Sequence, residues 1–234
     1  MPTNEPPVPS PSWRVALAPG ESHPFGKSPG WWDLRDLGDD ADDVPAARTA
    51  LLRALPPIPA NGNVLDIGAG TGTLVALLAH SYPHVHYTLL DANPAALQRA
   101  SEKLHRCRLT TIVEAVAPMA TEPLPGGPFD LVISSIALHD IAVPTAPDDL
   151  PGRARHAGEH RSLLRRILAS LVPGGHLIYA DAMRPRFRVV EHIDQLVAAG
   201  FVEVDCAYVR GRMLVAGGQR SIAPVAAVNQ GPAP

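Results

Sequence analysis

The chain has only two cysteines in 234 residues, Cys107 and Cys206. No CxxC pair or Cys/His cluster accompanies them, so neither a disulfide scaffold nor a structural zinc site is expected, and no metal is assigned. A reducing, cytoplasmic location follows from the same scarcity. Aromatic residues make up 5% of the chain, too few for a base-stacking surface. The net charge of −3 provides no basic field for a phosphate backbone, so no nucleic-acid partner is expected. No apolar run approaches the ~20 residues of a membrane span, so no membrane partner is expected. The start, Met1-Pro2-Thr3-Asn4-Glu5, lacks the basic and apolar regions of a secretory signal. None of these features fixes an oligomeric state.

What is present points to one α/β unit with additions. The 26 prolines crowd the two ends of the chain. Residues 1–12 read as a disordered tail, 13–60 as an N-terminal cap with a helix near Val44–Leu55, 61–218 as the main domain and 219–234 as a loose tail. Within the domain, short apolar segments alternate with helical ones. Strands are expected at Asn63–Ile67, Val85–Leu90, Leu109–Val113, Phe129–Ser134, His176–Ala180, Phe201–Tyr208 and Met213–Ala216. Helices are expected at Thr73–Ser81, from Asn93 to about His105, at Glu159–Leu171 and at Val189–Ala199. Asn93-Pro94 combines an N-cap with a proline at the first helical position. Such alternation predicts a Rossmann-like, seven-stranded and mostly parallel sheet with helices on both faces. The last two strands have no helix between them and must pair as an antiparallel hairpin. Ligands bind such sheets at the carboxyl ends of the strands. The glycine-rich loop after the first strand and Asp91 after the second both lie there.

Five segments carry a family resemblance. They are Val64-Leu65-Asp66-Ile67-Gly68-Ala69-Gly70-Thr71-Gly72, Leu89-Leu90-Asp91-Ala92-Asn93-Pro94, Phe129-Asp130-Leu131-Val132-Ile133-Ser134-Ser135, Leu171-Val172-Pro173-Gly174-Gly175 and Leu196-Val197-Ala198-Ala199-Gly200-Phe201. In this order and spacing the chain, over roughly residues 50–218, resembles the class I methyltransferases that depend on S-adenosylmethionine (SAM). A dinucleotide fingerprint would need GxGxxG. Counted from Gly68, Thr73 stands where its third glycine belongs.

The chemistry of SAM explains these residue types. Gly68, Gly70 and Gly72, with Ala69, let the backbone approach the ligand and turn sharply into a helix. Asp66 suits the methionine ammonium. Asp91, beside Ala92, offers two acceptor oxygens to the ribose hydroxyls. Ser134 ends the fourth strand at the same edge. The resemblance places adenine beside Ala115 and Val116, and Val116 occupies the position where the family often has an aspartate.

Methyl transfer depends mainly on alignment, which can supply up to ~7–11 kcal/mol. A base is needed where the acceptor must lose a proton. His139 in Ser134-Ser135-Ile136-Ala137-Leu138-His139-Asp140 is the candidate, with Asp140 placed to orient it. This segment differs from the Asn-Pro-Pro-Tyr signature of nucleic-acid and protein-amide methyltransferases. The 141–160 stretch reads as a long lid loop with Arg153 as a candidate acceptor clamp, and His156 and His160 as an exposed helical pair. Trp31 and Trp32 are candidates for packing on a flat acceptor. The resemblance implies a small-molecule substrate, and the Pro-, Ala- and Arg-rich style of the chain associates it with natural-product intermediates. Two alternatives stand beside it: a SAM-binding enzyme of the same fold that catalyses cyclisation, elimination or decarboxylation, and a non-catalytic partner protein.

Overall fold

The computed structural model describes residues 43–106, 112–116, 124, 127–138, 150–183 and 187–222, with backbone alone for 112–116 and 150–156. The elements run α1 (Asp43–Ala54), β1 (Asn63–Ile67), α2 (Thr73–Ala79), β2 (His86–Asp91), α3 (Pro94–Arg106), β3 (Ile112–Val116), β4 (Phe129–Ser135), α4 (Leu150–Ser170), β5 (Leu171–Ala182), α5 (Val189–Ala199), β6 (Val202–Arg210) and β7 (Met213–Gln219). The fold is a mixed α/β, Rossmann-like sheet in the order β3-β2-β1-β4-β5-β7-β6. Strands β1 to β5 pair in parallel, and β7 lies antiparallel between β5 and β6. The strand order reverses between β1 and β4, and a ligand crevice opens at such a reversal.

Period-two alternation divides the core between the two faces of the sheet. Val64, Leu131 and Ile133 point to the face covered by α1, α2 and α3, with Leu51, Leu74, Leu78 and Leu97. Leu65, Ile67 and Val132 point to the face covered by α4 and α5, with Leu163, Leu164, Ile167 and Leu196. In α1, Val44, Ala47 and Leu51 form the buried stripe, with Asp43 in the first turn and Arg53 in the last, as the helix dipole favours. Helix α5 ends on Gly200, whose φ of 106° only glycine adopts readily.

Four expectations need correction. First, β3 lies three residues later than its apolar pattern suggests, because its register is set by β2. Tyr87 pairs with Ile112 and Asp91 with Val116, so the two strands end level. Second, α4 starts at Leu150, nine residues before the expected start, so half of the expected lid loop is helix. Pro151 costs nothing in the first turn. Gly158 costs about 1 kcal/mol against alanine, which the buried side chains of the following turns outweigh. Third, β5 begins at Leu171 and not at His176. Leu171 pairs with Phe129 and His176 with Leu131, and the intervening Pro173-Gly174-Gly175 forms a bulge. Fourth, the chain is not loose from Gln219. Gln219 pairs with His176 and Val202, and Arg220 exchanges backbone hydrogen bonds with Gly174 and Gly175. No helix among the described residues is long and apolar enough to cross a membrane.

Candidate functional site

The loop between β1 and α2 is held from behind by β2. The amides of Gly68 and Ala69 both donate to the Leu90 carbonyl, at 2.8 and 3.1 Å. Gly68, Gly70 and Gly72 all have positive φ, at 70°, 54° and 73°. They serve different purposes. A Cβ on Gly72 would lie 2.9 Å from Ala100 Cβ, so this glycine lets α3 pack against the loop. A Cβ on Gly70 would meet nothing closer than the Gly68 carbonyl at 4.0 Å, so Gly70 borders open space. Lys103, one turn beyond Ala100, ties α3 to the loop by donating to Thr71 and Thr73 Oγ1, each at 3.2 Å.

Asp91 closes the far side. Its Oδ2 accepts the Gly70 N–H at 2.8 Å and its Oδ1 accepts the Asn93 N–H at 2.8 Å. Burial raises the pKa of this carboxyl, while the amides of Asn93, Gly70 and Ala92 pull it down. Each oxygen keeps acceptor capacity for a further donor. Asn93 Oδ1 caps α3 through the amides of Ala95 and Ala96, at 3.0 and 3.2 Å. Asp66, on the α1–α3 face, is buried, and its Oδ2 has no hydrogen-bond partner among the described residues. Burial, then the neighbouring Asp91 charge, pushes its pKa up to about 8, and Arg48 opposes the shift. Ser134 Oγ donates to the Ile67 carbonyl at 2.8 Å and locks the ends of β1 and β4 together. The chain leaves β4 through Ile136 at φ 58°, a conformation that costs a β-branched residue of order 1–3 kcal/mol. Its N–H is pinned to the Ala180 carbonyl at 2.8 Å.

A glycine loop and an acidic residue meeting at the strand ends match what the comparisons return. A methyltransferase-domain family model matches residues 65–177. An uncharacterized methyltransferase of Mycobacterium tuberculosis (strain ATCC 25618 / H37Rv) is 31% identical over 152 residues, covering 64% of this chain and 66% of that protein. The chain belongs to the class I SAM-dependent methyltransferases.

The relatives of this methyltransferase differ in what they are named for. The trans-aconitate 2-methyltransferase of Paracidovorax citrulli is 29% identical over 179 residues, covering 75% of this chain and 61% of that one. The ribosomal RNA small subunit methyltransferase C of Erwinia tasmaniensis is 30% identical over 182 residues, covering 73% and 49%. The chain thus spans between about half and two thirds of the length of these relatives. Among solved structures, the SAM-dependent methyltransferase SibL in its apo form superposes with a TM-score of 0.61 at 22% identity, covering 83% of this chain and 60% of that one. The [4+2]-cyclase SpnF superposes with a TM-score of 0.58 at 14% identity, covering 76% and 81%.

SAM is the cofactor of this family, and the residues present fit it. Asp91 would receive the ribose hydroxyls, the open space at Gly70 would admit the ligand beside the backbone, and the buried Asp66 oxygen would receive a cationic donor. Asp66, Gly68, Ala69, Gly70, Gly72, Asp91, Ala92 and Ser134 all gather at the carboxyl ends of β1, β2 and β4. The backbone of Ala115 and Val116 lies beside Leu90 and Asp91. These two residues therefore belong to β3 itself and do not follow it. Arg153 lies on the first turns of α4; its side chain, like Trp31, Trp32, His139 and Asp140, is outside the described residues. His160 is not on an exposed helix face. It is buried, edge-on to Phe187 at 5.2 Å and to His192 at 6.1 Å between ring centroids.

Three residues at or near the site escaped the sequence reading. Lys103 and Arg48 look like ordinary solvated positions of amphipathic helices, and only packing shows what they reach. Ile136 carries no local signal for a left-handed conformation.

Proposed function

We propose that this protein transfers the methyl group of SAM to an oxygen, nitrogen or carbon atom of a small organic molecule, such as a natural-product intermediate. The observation that carries this reading is the convergence of the Gly70 amide and the Asp91 carboxylate at the strand ends, beside the buried Asp66. SAM supplies an electrophilic methyl and leaves as S-adenosylhomocysteine. The protein's contribution is alignment of the two reactants, the largest help that such a displacement needs. In the sequence, His139 follows three residues after Ile136, where β4 ends in a strained turn. That histidine takes the acceptor's proton where the acceptor is a hydroxyl or protonated amine. Trp31, Trp32 and Arg153 contribute to the acceptor side.

Two features favour a small acceptor over RNA. Ser134-Ser135-Ile136-Ala137 stands where an Asn-Pro-Pro-Tyr signature would, and the chain carries a net charge of −3. The test is incubation with SAM and a panel of small acids, phenols and amines, with ribosomal RNA as a further member, read by S-adenosylhomocysteine release. Turnover with a small acceptor supports the reading, and turnover with RNA alone overturns it. Tight SAM binding without turnover on any member redirects it to a non-methylating reaction on the same fold. His139→Ala should depress turnover with SAM affinity kept; full activity would remove it as the base.

A further inference from the structure

One helix, α3, grips the glycine loop. Just ahead of its cap Asn93, Asp91 holds the Gly70 amide at 2.8 Å. Ala100 of α3 packs where a Cβ on Gly72 would stand. Lys103 follows Ala100 at the i, i+3 spacing, on the same face of the helix. Its Nζ donates to Thr71 Oγ1 and Thr73 Oγ1, each at 3.2 Å. These threonines flank Gly72, and their hydroxyl oxygens are 3.5 Å apart. One ammonium thus bridges the loop and the first residue of α2.

This bridge stands where a local cap is missing. Helix α2 starts on the left-handed Gly72, which makes no side-chain cap hydrogen bond. A serine, threonine, asparagine or aspartate there would tie the turn from within. The tie comes instead from another helix. Helix electrostatics does not explain it, because Thr73 opens α2 and the dipole disfavours a cation at that end. What the bridge fixes is loop geometry. Thr71 adjoins Gly70, whose amide reaches Asp91 and whose missing side chain leaves open space. A loop with glycines at 68, 70 and 72 has much conformational freedom to lose. It receives a ligand well only if something holds it beforehand.

We propose that Lys103 is a positioning residue for the cofactor: through Thr71 and Thr73 it holds the glycine loop in its binding form before SAM arrives. This rests on the SAM reading of the site. Apparent affinity falls in proportion to the fraction of molecules in the competent form. Loss of the bridge therefore weakens every ligand of the loop by one common factor and leaves the bound complex unchanged.

The test uses the full chain, calorimetry with SAM and with S-adenosylhomocysteine, and hydrogen exchange of the loop amides. Lys103→Met removes the donor but keeps a good helix former on α3. It should weaken both ligands equally, by about three- to tenfold. In the ligand-free protein it should speed exchange at residues 68–73 and leave β1 and β4 as they were; saturating S-adenosylhomocysteine should restore the protection. Lys103→Arg keeps charge and donors and should recover most of the loss. Thr73→Val should weaken both ligands less, and should add little to Lys103→Met in the double variant, because the two share one interaction. SAM carries one positive charge more than S-adenosylhomocysteine. Unequal losses for the two would therefore mean that the ammonium acts on the ligand directly, and would overturn the proposal. Unchanged affinity in Lys103→Met, or faster exchange throughout the sheet, also overturns it. Failure of the unaltered protein to bind either ligand overturns the SAM reading instead, and the exchange comparison then still decides whether Lys103 holds the loop.

Discussion

The two halves of the sheet handle polar groups in opposite ways. On the β1–β2 side they converge on an opening. Asp91 collects the amides of Gly70 and Asn93, Gly70 borders open space, and Asp66 has an oxygen without a hydrogen-bond partner among the described residues. On the β5 side they are turned inward. Tyr179 bonds His192 Nδ1 at 3.0 Å, Phe187 stacks edge-on to His192 at 4.5 Å, and Arg161 of α4 donates to Gln195 of α5 at 3.2 Å. An opening must tolerate underused polar atoms because a ligand completes them. A core keeps few of them, since each one costs about 1–3 kcal/mol; the Tyr208 hydroxyl is one such, buried with no hydrogen-bond partner among the described residues. Buried polarity alone therefore does not identify a site. The direction in which it is completed does.

The largest effect that would separate loop architecture from ligand contact is at the glycines. Gly72→Ala should lower stability by about 2–4 kcal/mol, combining a left-handed alanine with overpacking against Ala100. Gly70→Ala should cost about 1–2 kcal/mol and should strike cofactor affinity harder than Gly72→Ala does relative to its stability cost. Chemical denaturation and calorimetry on both variants check the pair, and equal profiles would erase the distinction. Next comes Asp91→Ala, which should weaken SAM at least tenfold, as loss of hydrogen bonds to a charged group of about 1.5–3 kcal/mol implies. Unchanged affinity would remove Asp91 from the ribose role.

A pH titration sharpens the comparison further. The buried Asp66 of the ligand-free protein prefers its neutral form, with its pKa raised from 3.8 to about 8. Its contribution to stability is full below the ordinary carboxylate pKa and declines as pH rises through that window to about 8. A cationic ligand favours the ionised form. SAM affinity should therefore rise several-fold between pH 6 and pH 8 and level off above, with proton release seen as a buffer-dependent binding enthalpy. Asp66→Asn should flatten both trends. The smallest expected effect is on the other side of the sheet. Tyr179→Phe should cost ~1–2 kcal/mol of stability and leave cofactor affinity unchanged. A shift in affinity would show that the β5 cluster communicates with the opening.

The legible part of this molecule is the part built from short-range signals. Asn63–Ile67 and Val189–Ala199 have the bounds that their apolar patterns and flanking residues predict. The glycine loop and Asp91 stand out because positive φ and a carboxylate at a strand end are written in single residues. The illegible part depends on distant partners. The bounds of β3 follow from its register on β2, the early start of α4 from burial of its later turns, and the fate of His160 from Phe187 and His192.

By itself, then, the sequence determined the alternating α/β plan, the glycine loop and the acid that faces it, since backbone conformation and residue chemistry act locally. Only the tertiary structure decided that Gly72 serves packing while Gly70 borders open space, that His160 lies in the core, and that Arg48 from a helix outside the alternation reaches Ser135 at the end of β4. Those outcomes depend on which atoms meet across the sheet, and no local pattern along the chain encodes such meetings.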